Sequence, residues 1–199
     1  MRVVIVLLAA GRSARMGFPK QLWKWEGRTL IRRMAETALA VRSSGISAET
    51  VVITGACAEE TGAEVRDLAV RIQYNPDWEE GMASSLRTAT EAAGDADALL
   101  ILLTDQPAVS TGLLETLLDT WKQQPDQPVV SDYGDAWGPP LVLPLSFRDD
   151  LLALRGDTGA KAFLKEHPER MIRIPFPQGK LDLDTPEDLL RLGKRGFGL

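Results

Sequence analysis

Three cationic side chains closely follow the first apolar run of the chain. Residues 3–8 are continuously apolar, and a small loop, residues 9–11 (Ala-Ala-Gly), leads to Arg12, Arg15 and Lys20. Small residues let backbone N–H groups come close to a ligand, and cations neutralise its negative charge. The pattern predicts a phosphate-binding loop, with a solvated basic loop as the alternative.

A lone carboxylate, Asp105, follows a second apolar run at residues 98–103. Mg²⁺ is commonly held by few protein carboxylates together with phosphate oxygens, so a carboxylate at a strand end suits this cation. The alternative is a turn-forming Asp before Pro107. The position of Asp105, directly after a buried strand, favours the metal interpretation.

Two more carboxylates, Asp182 and Asp184, stand at alternate positions before a helix start. Thr185 and Pro186 account for the start itself, because Thr is a good N-cap and Pro fits the first helical position. Alternation places both carboxylates on one face of an extended segment, which capping does not require. We therefore expect Asp184 to be a second metal ligand, with helix capping alone as the alternative.

Two Gly-containing segments admit two interpretations each. Gly81, Ser84 and Ser85 either begin and cap a helix or present hydroxyls and amides to a base or ribose. Residues 156–159 (Gly-Asp-Thr-Gly) form either a cap or a wall of an acceptor site. By contrast, Cys57 is expected to be a small apolar side chain, because nothing near it in sequence would activate a thiolate.

Composition narrows the class of protein. The 199 residues carry a net charge of −5, which argues against a general nucleic-acid binder, and a single cysteine excludes an intramolecular disulfide framework. The first apolar run is too short to span a membrane and lacks the shape of a signal peptide. We expect a soluble, cytoplasmic α/β protein that forms one domain over residues 1–199.

The elements that must position these residues alternate along the first half of the chain. Helical patterns, the first capped by Thr29, separate four apolar strands: the strands are at 3–8, 50–54, 70–74 and 98–103, and the helices at 28–40, 59–68 and 81–93. This order predicts a doubly wound parallel sheet, in which ligands bind beyond the carboxyl ends of the strands. The phosphate-binding loop and Asp105 both lie at such ends.

The second half has a less regular pattern. Pro139 and Pro140 disfavour a central place in the sheet for the strand that contains them. The predicted strands are 129–133, 136–143 and 171–174, and the predicted helices are 111–123, 147–154, a segment beginning at 156–161 and ending near His167, and a closing helix at 185–192.

Five segments together resemble the MocA-like molybdenum cofactor cytidylyltransferases, a branch of the MobA-like NTP transferases: residues 8–20, 81–86, 104–107, 156–161 and 182–189. The resemblance implies a Rossmann-like three-layer α/β sandwich with a mostly parallel central sheet, as in nucleotide-diphospho-sugar transferases. It also implies Mg²⁺-dependent transfer of CMP from CTP to the terminal phosphate of molybdenum cofactor (molybdopterin), with release of pyrophosphate. A molybdoenzyme or its chaperone would be a further partner.

The resemblance also assigns roles to residues by position. Arg15, Lys20 and Asp105 would be catalytic, and Asp105 and Asp184 would hold Mg²⁺. The nucleotide would be bound by Leu8, Ala9, Ala10, Gly11, Arg12, Lys20, Gly81, Ser84, Ser85 and Asp105. The choice of CTP rests on Ala10, where guanylyl relatives tend to carry Gly. This chain departs from the family pattern at Thr104, where Gly is frequent, and at Lys161, where Arg is frequent.

The sequence leaves other functions as alternatives. One is a nucleotidyltransferase that acts on a sugar phosphate or polyol phosphate. Another is a non-catalytic protein that binds and delivers molybdenum cofactor. A Rossmann dinucleotide-binding domain is disfavoured, because residues 11–16 lack the Gly-x-Gly-x-x-Gly spacing.

Overall fold

The computed structural model describes residues 1–13, 17–165, 170–181, 183 and 188. The predicted positions Arg15, His167, Asp182 and Asp184 and most of the predicted closing helix lie outside these residues. The strands are β1 (Arg2–Ala9), β2 (Lys24–Trp25), β3 (Arg28–Thr29), β4 (Ser47–Thr54), β5 (Arg71–Tyr74), β6 (Ala98–Leu103), β7 (Val129–Asp132), β8 (Trp137–Pro144) and β9 (Ile172–Pro175). The helices are α1 (Leu30–Leu39), α2 (Ala58–Ala63), α3 (Met82–Ala92), α4 (Thr111–Gln123), α5 (Arg148–Ala153) and α6 (Lys161–Leu164).

The main sheet has the strand order β5-β4-β1-β6-β8-β7-β9. Strands β5, β4, β1 and β6 pair in parallel, as the alternating pattern of the first half predicts. Strand β8 runs antiparallel to both β6 and β7, whereas β7 and β9 are parallel. The sheet is therefore mostly parallel, and the predicted Rossmann-like fold class is confirmed. Strands β2 and β3 form a separate antiparallel hairpin.

The core is divided by strand β1, whose Val3 to Leu7 side chains are fully buried. Val3, Ile5 and Leu7 pack with residues of α1 and α4, whereas Val4 and Val6 pack with residues of α3 and α5. Successive side chains of a strand point to opposite faces, so this run is apolar throughout because helices cover the sheet on both sides. The result is a three-layer sandwich.

The prediction for the strand containing Pro139 and Pro140 was wrong. Strand β8 lies inside the sheet, between β6 and β7. The two prolines fall where the pairing of β8 with β7 shifts register, beside Val130 and Ser131, and β6 pairs only with the stretch from Leu141 onward. A central strand tolerates proline here because a bulge already interrupts the ladder of hydrogen bonds.

Two local predictions differ in outcome. Thr29 caps α1 as predicted, since its side chain accepts a hydrogen bond from the Arg32 N–H at 3.4 Å. Helix α2 ends at Ala63, earlier than predicted, and turns follow it, with the Val65 N–H donating to the Gly62 carbonyl. None of the helices among the described residues is long and apolar enough to cross a membrane.

Candidate active site

A cleft of about 870 Å³ opens at the carboxyl ends of β1 and β6. These strands are parallel neighbours, and Leu8 lies opposite Leu103 in their register. The chain therefore leaves both strands at the same level, which brings the loop after β1 beside the loop after β6. The cleft is lined by Leu8, Ala9, Ala10, Gly11, Arg12, Ser13, Lys20, Gln21, Trp78, Glu79, Glu80, Gly81, Met82, Ser85, Leu103, Thr104, Asp105 and Asp157.

The loop after β1 is hydrogen-bonded to the residues that directly follow β4. The Ala10 carbonyl accepts a hydrogen bond from the Ala56 N–H at 3.0 Å. A Cβ on Gly55 would lie 2.7 Å from that carbonyl and 2.6 Å from Cβ of Trp78, so only glycine fits beneath the loop. Gly11 differs, because a Cβ there would meet nothing within 4 Å. Neither packing against the described residues nor a positive φ explains Gly11.

A buried glutamine, Gln21, fastens the same loop to the segment that carries Lys20. Gln21 is 2% exposed, donates to the Gly11 carbonyl at 3.2 Å and accepts from the Ser13 hydroxyl at 3.3 Å. The Lys20 N–H in turn donates to the Ser13 hydroxyl oxygen at 3.0 Å. These bonds hold Ser13 at a φ of 54°, an uncommon value for a residue with a side chain. We call Gln21 and Ser13 the loop latch.

Lys20 and Asp105 form an ion pair across the cleft, between their ammonium nitrogen and Oδ2 atom. Asp105 is 9% exposed, and its Oδ1 atom has no hydrogen-bond partner among the described residues. A buried carboxylate oxygen without a partner is costly, so it fits a ligand such as a divalent cation. No group of three His, Cys, Asp or Glu side chains gathers around a metal position within the described part of the chain.

Two contacts anchor the loop that carries Asp105. Gln106 is buried and donates to the Tyr133 hydroxyl at 3.0 Å, which ties the loop to the end of β7. The Leu183 N–H donates to the Asp105 carbonyl at 3.1 Å. Leu183 stands between Asp182 and Asp184 in sequence, so this contact brings the described part of that motif against the Asp105 loop.

The opposite wall of the cleft is the start of α3. The Ala83 N–H donates to the Gly156 carbonyl at 3.1 Å, and the Met82 N–H donates to Oδ1 of Asp157 at 3.4 Å. Gly81 has a φ of 117°, and a Cβ there would lie 2.8 Å from the Gly156 carbonyl oxygen. Residues 156–159 do not cap the helix that follows them, because the N-cap of α6 is Ala160 without a side-chain hydrogen bond. Gly156 and Asp157 instead accept hydrogen bonds from the start of α3. Asp157 also lines the cleft.

An ion pair reinforces this wall. Both guanidinium NH₂ groups of Arg87 donate to the Glu80 carboxylate, which also accepts from the Gly156 N–H at 3.0 Å. Arg87 further donates to the Leu154 carbonyl at 2.8 Å. The hydrogen bonds from Arg87 and then from Gly156 lower the pKa of Glu80 to about 2. The carboxylate is therefore ionised at any physiological pH.

The serines of α3 have different environments. Ser84 is buried, its hydroxyl donates to the Gly81 carbonyl at 2.8 Å, and it does not line the cleft. Ser85 lines the cleft. Both hydroxyl oxygens accept hydrogen bonds from the side chain of Asn75, at 2.8 Å and 3.1 Å. Gly81 is the N-cap of α3 and neither serine caps the helix, so the capping part of the prediction was wrong. Ser85 is placed where a ligand could reach it.

Arg12 and Trp78, which both line the cleft, are in contact with each other. The Arg12 guanidinium carbon lies 5.8 Å from the centre of the Trp78 ring, within the range of a cation–π contact. Cys57, on the far side of Gly55, has its thiol pKa raised by burial and then by Glu60. A raised pKa disfavours the reactive thiolate form at neutral pH.

The structure thus gathers the predicted residues Leu8 to Arg12, Lys20, Gly81, Ser85 and Asp105 at one cleft. Sequence reasoning missed Gln21, Asn75 and Trp78. Asn75 stands in an Asn-Pro-Asp turn and Gln21 in a short segment without helix or strand periodicity, so neither carries a local signal that its side chain is buried and bonded.

Residues 5–171 match the family described as the MobA-like NTP transferase domain. The chain is 33% identical over 198 residues to nicotine blue oxidoreductase of Paenarthrobacter nicotinovorans, with 94% of each chain covered. It is 30% identical over 194 residues to a molybdenum cofactor guanylyltransferase of Xanthomonas euvesicatoria, covering 94% of this chain and 92% of the relative. It is 22% identical over 191 residues to the molybdenum cofactor cytidylyltransferase of Escherichia coli, covering 96% and 95%.

Solved structures agree with the fold. Rv0371c of Mycobacterium tuberculosis superposes with a TM-score of 0.83 and 26% identity, covering 98% of this chain and all of that one. A structure of Rv0371c in complex with manganese superposes with a TM-score of 0.78 and 23% identity, covering 98% and 99%.

Proposed function

This chain belongs to the MobA-like NTP transferase family and is a nucleotidyltransferase, and we propose that it transfers CMP from CTP to the terminal phosphate of molybdenum cofactor (molybdopterin). A phosphate oxygen of the acceptor attacks the α-phosphorus of the nucleotide. The bond from the α-phosphorus to the bridging oxygen breaks, and pyrophosphate leaves with the electron pair. Such an acceptor is already an anion at neutral pH, so the reaction depends on positioning and charge neutralisation more than on a general base.

The observation that carries the proposal is the pairing of Lys20 with Asp105 at the carboxyl ends of β1 and β6. A cation and a carboxylate at this edge of a parallel sheet suit a triphosphate with its metal. Lys20 would neutralise the charge that moves onto pyrophosphate. Arg15, which lies outside the described residues, is proposed for the same task on the basis of its position in the loop.

Gly11 supports close approach of the triphosphate to the backbone. Its missing side chain leaves open space at the cleft, and no contact in the described part of the chain requires that space. Residues Leu8 to Gly11 would then present main-chain groups to the nucleotide. The loop latch would keep this backbone and Lys20 in a fixed relation.

The unpartnered Oδ1 atom of Asp105 fits a divalent cation, which we propose to be Mg²⁺. Asp184 is proposed as a second ligand, and the hydrogen bond from Leu183 to the Asp105 carbonyl supports that pairing. When bound, the cation would withdraw charge from the reacting phosphate. The manganese complex of Rv0371c shows that this related protein binds a divalent metal.

The nucleoside would lie toward the start of α3, at Gly81 and Ser85, because the part of the cleft at the Lys20–Asp105 pair is proposed for the triphosphate and its metal. We propose CTP on the basis of Ala10, although relatives named for guanylyl and for cytidylyl transfer both match this chain. The dinucleotide product would pass to a molybdoenzyme or its chaperone.

The test is pyrophosphate release with CTP, GTP and ATP in turn, each with and without molybdenum cofactor. Release that requires the cofactor and is fastest with CTP supports the proposal, and fastest release with GTP would replace CTP by GTP. Release with a sugar phosphate or polyol phosphate alone would favour the corresponding transferase. Tight cofactor binding without turnover on any triphosphate would favour a delivery protein.

A second candidate function follows from the 33% identity to a relative named nicotine blue oxidoreductase. It predicts reduction of nicotine blue by this chain when an external two-electron reductant is supplied, followed by the absorbance of the dye. The same preparation of protein is used in both assays. Dye reduction without pyrophosphate release would favour the oxidoreductase over the nucleotidyl transfer.

A further inference from the structure

Asn75 is a buried polar residue that the proposed reaction does not use. It follows β5 and has no exposed surface. Its side-chain oxygen accepts from the Asp77 N–H at 3.0 Å, and its side-chain nitrogen donates to the hydroxyl oxygens of Ser84 at 2.8 Å and Ser85 at 3.1 Å. Every polar atom of this amide is therefore engaged within the cleft wall.

The orientation of the Asn75 amide is fixed by its backbone partner. A backbone N–H can only donate, so the atom that faces Asp77 must be the oxygen. The NH₂ group must then face Ser84 and Ser85, because the opposite orientation would set two donors against each other. Both serine oxygens consequently act as acceptors toward Asn75.

The hydroxyl hydrogens of Ser84 and Ser85 therefore differ in whether they have an acceptor within the cleft wall. Ser84 donates its hydrogen to the Gly81 carbonyl at 2.8 Å. Ser85 has no acceptor for its hydrogen among the described residues, and it lines the cleft. Since its oxygen is already engaged by Asn75, Ser85 offers the cleft a donor.

The surroundings of Ser85 select the kind of acceptor. Asp157 lines the cleft and accepts a hydrogen bond from the Met82 N–H, three residues before Ser85 in the same helix, so a phosphate at Ser85 would meet a negative charge nearby. The N–H groups of Met82 and Ala83 are already used by Asp157 and the Gly156 carbonyl, and cannot serve as an anion site. An uncharged oxygen of the nucleoside suits this position.

We propose that Asn75 is a positioning residue, which holds Ser85 as a hydrogen-bond donor to a carbonyl oxygen of the nucleobase. This inference rests on the proposed function and adds a preference among the nucleobases of the triphosphate substrate. Cytosine, guanine and uracil carry a ring carbonyl, whereas adenine carries none. The cleft therefore disfavours ATP, whichever of the other triphosphates is the natural substrate.

The decisive variant is Asn75→Asp, which keeps the shape but replaces the NH₂ donor with an acceptor. Ser85 would then donate to the new carboxylate and lose its donor role in the cleft. We expect affinity for CTP to fall about tenfold while affinity for ATP changes little, because a hydrogen bond of ordinary strength is lost for only one of them. Isothermal titration calorimetry of the protein with CTP or with ATP measures both affinities. Mg²⁺ is present in each titration, and the acceptor substrate, molybdenum cofactor, is left out.

A double-mutant cycle separates positioning from a structural role. Ser85→Ala should lower the ratio of CTP to ATP affinity by itself, and Asn75→Asp should not lower that ratio further in the Ser85→Ala background. An equal loss for both nucleotides would instead indicate contact with ribose or phosphate and overturn the inference. Thr90→Val removes a hydroxyl of the same helix that donates to the Leu86 carbonyl, and it should leave the ratio unchanged.

The failure of this inference can be distinguished from the failure of the proposed function. If Asn75→Asp does not fold, the affinity ratio of Ser85→Ala decides, and an unchanged ratio overturns the inference. Wild-type protein that binds CTP, with both variants unchanged in their ratio, overturns the inference alone. Wild-type protein that binds no nucleoside triphosphate overturns the proposed function as well.

Discussion

The ammonium group of Lys20 is paired with the carboxylate of Asp105, although 85 positions of sequence separate them. The pair spans the loops after two adjacent parallel strands, β1 and β6. A triphosphate entering this cleft would draw Lys20 toward its own negative charge and leave the carboxylate to a metal.

Asp105→Asn should lower pyrophosphate release by about 10²-fold or more, because it removes the charge of a proposed metal ligand while keeping its shape. Steady-state rates at several Mg²⁺ concentrations measure the loss. Asp119→Asn, on the exposed face of α4, is the matched control and should behave as wild type. Near-normal release by Asp105→Asn would contradict the metal assignment.

Lys20→Met should reduce kcat/KM for the nucleotide by about 10-fold to 10³-fold, because a methionine keeps the apolar stem but cannot stabilise charge on pyrophosphate. Lys20→Arg should recover only part of the activity, since its planar group has a different shape. Titration of the nucleotide and single-turnover rates separate binding from chemistry. Full activity of Lys20→Met would exclude a role in charge stabilisation.

Gln21→Leu should disrupt the loop latch. The variant loses the bonds to the Gly11 carbonyl and the Ser13 hydroxyl and leaves these groups less well satisfied, at a cost of about 1–3 kcal/mol in the free energy of unfolding. We also expect a raised KM for the nucleotide, because Lys20 is held through Ser13. Urea denaturation and steady-state kinetics measure the two effects. Destabilisation without any change in KM would limit Gln21 to folding.

Glu80→Gln should make the free energy of unfolding less dependent on pH in acid. The folded-state pKa of Glu80 is lowered from 4.5 to about 2, so its stabilising contribution is complete above pH 4.5 and is lost as the pH falls toward 2. The difference in stability between wild type and variant should therefore shrink over that interval. Denaturation curves at several pH values measure it, and a constant difference would contradict the assignment.

Gly81→Ala should destabilise the protein and weaken nucleotide binding. The added Cβ would lie 2.8 Å from the Gly156 carbonyl and 2.9 Å from Asp157 backbone atoms, at a φ of 117° that disfavours side chains. Gly112→Ala in helix α4 is the matched control, because its Cβ meets nothing within 4 Å. That control should be neutral or more stable by up to about 1 kcal/mol. Thermal unfolding compares them, and equal midpoints would contradict the prediction.

The sequence by itself determined the strands and helices of the first half and the edge of the sheet that carries the site. Fully apolar runs such as residues 3–8 and 98–103 mark strands covered on both faces, and parallel strands must expose their carboxyl ends on one side. The placement of Lys20 and Asp105 at one cleft follows from that rule. These features are local or topological, so periodicity and loop composition are enough to predict them.

Only the tertiary structure decided which distant groups complete the cleft. The hydrogen bonds from the start of α3 to Gly156 and Asp157, the burial of Gln21 and the amide of Asn75 depend on contacts between segments far apart in sequence. The central position of β8 likewise depends on a bulge opposite Pro139 and Pro140, which only the partner strand reveals. A side chain's local sequence does not specify its partner, because the partner is set by how the layers pack.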